Sequence, residues 1–500
     1  MALILLPLVL IPLYQSQAQD YDGAEEEIFL SRSPSFTQQT LDSDIRLRSM
    51  GHLTIPIDDE SNLTGIFKYG QHASGLPLDY EQGKVEVSYY YESGLLKDLD
   101  TKDSSFLGSK FESKQGVLTG MEVFVSTQPN GKAAFGVGYA RDDNDAVYSS
   151  GLEDAQGIIS LENNPGLSGL SMHFGQQIGK TIFGVSYRFQ ETDLVDRVSI
   201  ATAPSFLSIH TRLRQKDMEI FPSVGMLLSG PGLNEFSFSM GPRFKKREID
   251  NDFSSFLKIK NELEGTIFDA GFIYRYGEEV EAGFFASSGN MEGDQDISTS
   301  FTASQGKSKL NQTQYNFNSY YKPEASQVSF GLLYEWIIEK SRDHDSTGTL
   351  TEHVEQINSS FGLGLARSFS NEKGLLGFEY RFLETELKDE LDLLDPDTNE
   401  LSDGYQLSFG GEFRLIDRVI LRAGVFRKNI SEDPAGIDPE LETRTREFDM
   451  GAEYQVNNVA SVALAYAHTK ITSDTVGTAL DAHEFSADSL NLLLKYRMGR

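Results

Sequence analysis

One asymmetric unit repeats eight times along this 500-residue chain: two runs of alternating apolar and polar residues joined by a short turn, then a long polar segment. The C-terminal copy is the clearest. Every second residue of 448–456 is apolar, Asn457-Asn458 turns the chain, and 459–470 alternates again. Alternation over about ten residues, with connections of unequal length, is typical of a transmembrane β-barrel. The pattern predicts an all-β, antiparallel, up-and-down barrel.

The strand count follows from the hairpins. We predict eight pairs and a last strand at 486–498. The pairs are 117–126 with 132–141, 168–178 with 180–190, 218–228 with 234–244, 266–276 with 279–288, 313–321 with 326–338, 357–368 with 374–385, 405–415 with 418–429, and 446–456 with 459–470. Residues 84–92 are the best additional strand and bring the total to eighteen. Residues 53–57 and 63–70 look like one further hairpin, which would give twenty. We expect eighteen strands, with short periplasmic turns and long acidic outer loops.

The N-terminal region is interpreted separately. Residues 1–13 are almost wholly apolar, and Ser16 and Ala18 suit the small-residue positions before a cleavage site, which predicts a secretory signal peptide over residues 1–18. Residues 19–80 are expected to be a periplasmic segment, a segment tucked into the pore, or the first strands, and 81–500 to form the barrel. The chain has no cysteine, so we expect neither disulfides nor a thiolate site. After the N-terminus no stretch reaches the roughly 18 apolar residues of a membrane helix.

The two faces of the predicted strands differ in chemistry. One face carries bulky apolar residues, including Phe183, Val185, Phe330, Tyr334 and Leu490, and we assign it to lipid. A soluble sandwich could also bury such a face, but its core would have to satisfy many Tyr hydroxyls. The other face is small, polar and charged with both signs. We expect it to line a water-filled lumen, because unpaired charges are costly to bury dry.

The pore-lining candidates are the charged residues of that second face. They are Arg188, Arg243, Arg275, Glu335, Glu379, Arg381, Glu412, Arg414, Arg422, Asp449 and Glu453. We expect opposed charges, such as Glu379 with Arg381 or Glu412 with Arg414, to set a transverse field across the pore. The wall is near charge balance, so the formal net charge of −31 must reside mainly in the outer loops.

Composition and motifs exclude several functions. The negative charge argues against nucleic acid as a partner. No metalloprotease, esterase or nucleotide-binding motif occurs, so we expect no enzyme activity, no catalytic or metal site and no cofactor. An alternative is that His344, between Asp343 and Asp345, serves a barrel enzyme.

The span from residue 84 to 500 resembles Gram-negative outer-membrane β-barrels of the porin and polysaccharide-export size class. The last strand, SLNLLLKYRMGR, looks like the C-terminal strand that the barrel assembly machinery reads. The resemblance implies an outer-membrane location, with membrane lipid and lipopolysaccharide as partners. The function expected is a channel for small hydrophilic solutes. The alternatives are an export pore for a polysaccharide and a structural or adhesive barrel.

Overall fold

A computed structural model describes most residues between 84 and 497, together with Arg46, residues 49–53 and Ile55. Its longer gaps are 56–83, 99–109, 390–397, 434–440 and 476–482, and side chains are described mainly after residue 168. The predicted signal peptide and the candidate strand at 63–70 lie outside the described residues. Among the described residues, no helix is long and apolar enough to cross a membrane.

Twenty strands are described, all in one antiparallel sheet. They are β1 (Lys84–Asp98), β2 (Lys110–Glu112), β3 (Gln115–Thr127), β4 (Ala133–Asn144), β5 (Tyr148–Asp154), β6 (Gly157–Ile178), β7 (Thr181–Thr202), β8 (Ser205–Ser229), β9 (Asn234–Phe253), β10 (Leu257–Tyr276), β11 (Val280–Thr299), β12 (Ala303–Tyr321), β13 (Val328–Asp345), β14 (Leu350–Phe369), β15 (Gly374–Asp389), β16 (Thr398–Ile416), β17 (Val419–Asp433), β18 (Leu441–Asn457), β19 (Ala460–Thr475) and β20 (His483–Arg497).

Strand pairing returns to its starting point. Each strand from β6 to β19 pairs with the next, β4 pairs with β6 and β3, and β3 pairs with β1. β1 then pairs with β20 along its whole length, from Lys84 opposite Arg497 to Asp98 opposite His483. The short strands β2 and β5 pair with each other and extend from β6 outside this ring. Without these two, eighteen of the described strands form the ring, as the sequence predicts.

The tight turns use the residues that the sequence predicts for them. Gly179 and Gly277 adopt φ values of 65° and 56°, a left-handed conformation that glycine tolerates without steric cost. Between β18 and β19, the Asn457 Oδ1 accepts the backbone N–H groups of Val459 and Ala460, both at 2.9 Å. These local contacts reverse the chain and fix the register of each hairpin.

The outward face carries an apolar band beside the short-turn rim. On β10 it spans Phe268 to Tyr276, and on β18 it spans Phe448 to Val456, with the large side chains 37–50% exposed. Nine residues per strand match the length with which a tilted strand crosses a bilayer. Exposed tyrosines occupy the strand ends at the same rim, at Tyr276, Tyr321, Tyr454 and Tyr496. A closed antiparallel ring with such a band is the architecture of a transmembrane β-barrel.

Beyond this band, the polarity of the two faces is inverted. The far half of β10 exposes Lys258 and Glu264, whereas its Leu263 is buried with Met291 of β11 and Leu310 of β12. The segments predicted as irregular outer loops are therefore long but continue as paired strands. For example, residues 191–202 belong to β7 and 205–217 to β8. The prediction ended each strand too early because the apolar residues change face where the wall leaves the bilayer.

Two residues of a candidate strand are described, and neither lies in a strand. Residues 53–57 were expected as part of a possible extra hairpin, but Leu53 and Ile55 have no strand pairing and are buried at 0% and 3% exposure. Their alternation reflects contacts on the inner side of the wall. The described residues of this region, Arg46, 49–53 and Ile55, lie against the inner wall.

The apolar band makes a stability prediction. Phe378 lies on the outward face of β15, 45% exposed, between Leu376 and Tyr380. Phe378→Arg should destabilise the barrel by about 2–4 kcal/mol, because it puts a cation into hydrocarbon. Urea unfolding in lipid vesicles measures the effect. Glu384→Arg, on the same face of β15 beyond the band, is the matched control and should change stability little. Equal effects of the two substitutions would refute the assignment of the band.

Candidate functional site

A short stretch of the N-terminal region crosses the inner wall. Arg46, residues 49–53 and Ile55, here called the inner segment, run from β18 towards β13. Ser49 lies against β18, Met50 and Gly51 against β17 and β16, Leu53 against β15, and Ile55 against β14 and β13. The wall contributes an inward glycine at each contact. These are Gly451, Gly424, Gly410, Gly377, Gly362 and Gly331.

The glycines allow backbone to approach backbone. At Gly424 an added β-carbon would overlap Met50 and Gly51, and at Gly410 it would overlap the Met50 carbonyl. Gly51 itself adopts φ 71° and has Val425 O within 2.6 Å of where its own β-carbon would lie. Any larger residue at these positions would push the inner segment off the wall. The row of glycines therefore forms a groove that fits this segment.

Three polar contacts hold the segment in this groove. The Arg46 guanidinium donates to both Glu412 oxygens, at 3.1 and 2.7 Å. The Ile55 backbone N–H donates to Glu379 Oε2 at 2.8 Å, and His52 Nε2 lies 2.9 Å from Glu447 Oε1. Each wall partner is an inward carboxylate. Such charge-assisted contacts are stronger than neutral hydrogen bonds.

A second cluster of charges links β7 to β11. Arg243, 3% exposed, donates to Asp269 at 2.9 Å and to Ser287 at 3.2 Å. Glu219 lies 3.0 Å from Arg188 and 3.2 Å from Lys245. Every member is on the inward face, so neighbouring strands are cross-linked through ionised side chains. Such a network is costly to break because it would leave a buried charge unpaired.

The charge arrangement differs from the sequence prediction in the burial of three carboxylates. Asp269, Glu379 and Asp449 are 0% exposed, whereas we expected their side chains to face open water. The charged residues also pair locally along the wall. Arg381 pairs with Glu379 on its own strand at 2.5 Å, and Glu412 pairs with Arg422 at 3.2 Å. Inward residues two apart on a strand, or opposite on adjacent strands, are close enough to pair locally.

The remaining predicted residues also follow inward positions of the strand alternation. Arg422 contacts Glu453 at 2.7 Å as well as Glu412. Arg275 pairs with Glu281 across the β10–β11 hairpin. Glu335 accepts a long contact of 3.5 Å from Gln314, and Arg414 is exposed near the end of β16. Eight of the eleven candidates therefore belong to local ion pairs.

The enzyme alternative receives no geometric support at His344. Asp343 and His344 are consecutive in β13, where the register with β14 shifts between them. Asp343 is buried and accepts a hydrogen bond from Gln295 at 2.9 Å. Asp345 accepts the backbone N–H of Thr347 at 2.8 Å. Neither contact orients the imidazole for catalysis.

Sequence reasoning missed the inner segment and the function of the glycines. The inward glycines suggested only a small, polar face. Their alignment across six adjacent strands depends on the register of each pair, such as Gly410 opposite Gly424. His52 and Glu447 are 395 residues apart in sequence. Within the sequence of the inner segment itself, the signal was an arginine, Arg46, followed by apolar residues in an otherwise acidic region.

Comparisons with known proteins find likeness in three-dimensional form. No family model matches the sequence, and no curated protein matches it. A FadL homologue from Pseudomonas aeruginosa is 12% identical, covers 89% of this chain and 96% of its own, and has a TM-score of 0.36. OpdQ from the same species is 10% identical over 84% and 98%, with a TM-score of 0.39. The ferric yersiniabactin uptake receptor FyuA from Yersinia pestis is 8% identical over 84% and 80%, with 0.43.

Structural similarity at such low sequence identity does not identify which solute the protein transports. The location follows from the chain's own wall, with its ring of antiparallel pairs and its apolar band about as tall as a bilayer core. The protein is an outer-membrane β-barrel. Its candidate functional site is the inner segment together with the ion pairs of the surrounding wall.

Proposed function

We propose that this protein is an outer-membrane channel for small hydrophilic solutes, in which the inner segment narrows the bore. The observation that carries the proposal is the docking of the inner segment across six strands in a groove of glycines. A segment held by a few side-chain contacts can be displaced without unfolding the wall. The strands themselves are held by continuous ladders of hydrogen bonds.

The lining supports a hydrophilic solute. The inner wall at bilayer depth carries partly exposed charges of both signs, Arg381, Glu412 and Glu453, and charges of both signs attract no single ion strongly. A polar solute can exchange hydrogen bonds with such a wall as it passes. Because cations and anions both line the path, we expect weak selectivity between them.

A reversible cross-link tests this function directly, because the chain has no native cysteine. The Ser49 β-carbon is 2.7 Å from the position that a β-carbon on Gly451 would take, so a small shift gives the roughly 3.8 Å of a disulfide. The test uses lipid vesicles that contain the Ser49→Cys/Gly451→Cys double variant. When the two cysteines are oxidised to a disulfide, the vesicles should swell slowly in a small neutral sugar. After reduction, swelling should rise to the rate of the Gly451→Cys single variant, because the inner segment is then free to move.

Each single-cysteine variant is a control, and its swelling rate should be the same with and without the oxidant. Gel mobility before and after heating verifies that all variants are folded barrels. A wild-type protein that never supports swelling would contradict the channel and favour a structural or adhesive barrel. Equal swelling in the oxidised and reduced states would contradict the proposal that the inner segment narrows the bore.

A further inference from the structure

The contact between the inner segment and β18 contains a cluster of three potential metal ligands. One donor atom each from His52, Glu447 and Asp449 lies within 4.8 Å of the other two. The two carboxylates occupy alternate positions of β18, so they project from the same inward face. The imidazole comes from the inner segment. The cluster therefore joins two parts of the chain that are remote in sequence.

We propose that His52, Glu447 and Asp449 bind one divalent first-row transition-metal ion, with Zn²⁺ as the suitable probe. Imidazole nitrogen and carboxylate oxygen are both zinc ligands, at about 2.0–2.2 Å, which spaces donors in a tetrahedral site by about 3.3 Å. His52 Nε2 and Glu447 Oε1, at 2.9 Å, are already near that spacing. Because no two donors are more than 4.8 Å apart, the Asp449 carboxylate needs to approach by at most about 1.5 Å to complete the set.

The surroundings fix two of the ligands in place. Thr469 Oγ1 donates to Glu447 Oε2 at 2.7 Å, which leaves Oε1 directed at His52. The His52 ring lies 4.9 Å from the Phe426 ring at an angle of 56°. Outer contacts of this kind orient metal ligands and strengthen binding. The two neighbouring carboxylates repel each other, and a dication between them would relieve that repulsion.

A metal ion here would fasten the inner segment to the wall. It would bind His52 of the segment and two residues of β18 at once, so withdrawal of the segment would require breaking a metal–ligand bond. The expected effect on solute flux rests on the proposed channel function. The expected binding of metal does not, because it depends only on the three side chains.

Zinc titration calorimetry on the full-length, chelator-treated protein in detergent tests the site. We expect one Zn²⁺ per wild-type chain, and binding at least about tenfold weaker in His52→Ala and in Glu447→Gln. His468→Ala is the matched control. His468 is exposed and lies 2.9 Å from Asp488, and its loss should leave the one tight site intact. The proposal would be overturned if the wild-type protein bound no zinc tightly, or if it bound zinc with the same affinity as the His52→Ala variant.

The fastening effect has its own measurement. Removing zinc from wild-type vesicles with a chelator should accelerate sugar-dependent swelling, whereas His52→Ala vesicles should swell fast with or without zinc. If the wild-type protein binds one zinc but swelling is the same before and after zinc removal, the metal does not fasten the inner segment to the wall. If wild-type vesicles never swell at all, the channel function fails, while the titration still decides the metal site. Heat-dependent gel mobility confirms folding of each variant.

Discussion

Replacing Gly424 by leucine should increase sugar flux through the barrel several-fold. Gly424 lies on the inward face of β17, where Met50 and Gly51 occupy the space that a side chain would need. Leucine cannot fit without displacing the inner segment, because the overlap is with backbone atoms. Once Met50 is displaced, the neighbouring contacts of Arg46 and His52 with Glu412 and Glu447 should loosen as well. The bore should then be open where the segment had narrowed it.

The measurement is vesicle swelling, with planar-bilayer conductance as a second readout. Ala423→Leu is the matched control, because Ala423 is the adjacent residue on the outward, exposed face of β17. That variant should keep the wild-type flux. Overpacking costs about 1–3 kcal/mol, so Gly424→Leu should still fold. A folded Gly424→Leu barrel with wild-type flux would contradict the proposed constriction.

The largest loss of stability should come from Asp269→Leu, at about 3–5 kcal/mol. The substitution removes the main acceptor of Arg243, whose guanidinium donates to Asp269 at 2.9 and 3.2 Å. Arg243 is 3% exposed, so water cannot replace the lost carboxylate. Glu219, 3.6 Å from Arg243, is already engaged by Arg188 and Lys245. The cost is therefore that of a buried cation with too few acceptors.

Urea unfolding in lipid vesicles compares this variant with Arg243→Met/Asp269→Leu. The double variant should be more stable than Asp269→Leu alone, because both partners of the pair are then apolar. Additive losses in the double variant would mean that the two side chains act independently. In that case the ion pair would not be what makes the position sensitive.

The barrel itself was predictable because its dominant signal is local. Alternation near the short turns placed the eight hairpins, and residues 84–92 were the right choice for the additional strand of an eighteen-stranded ring. The far halves of the strands were missed for a physical reason. There Ile259 and Leu263 point inward while Lys258 and Glu262 point outward, so a search for outward apolar residues stops at Phe268.

The inner segment could not be derived in the same way. Its contacts join Arg46 to Glu412 and Ile55 to Glu379, and no period or motif links such distant residues. The partner of Glu412, which is Arg422 on the adjacent strand, was not foreseeable from spacing along one strand. Glu379 forms an ion pair with Arg381, two residues along the same strand, and accepts a hydrogen bond from a backbone amide of the inner segment.

The pairing of β1 with β20 has a consequence for how the protein matures. Lys84 lies opposite Arg497, so the first and last strands meet only after nearly the entire polypeptide has been synthesised. Until then, two rows of unsatisfied backbone amides and carbonyls are available to any passing strand. Contacts between such distant residues form slowly. The unfinished sheet must therefore be shielded during export, and premature termination before residue 483 would leave β1 and β19 as permanent open edges.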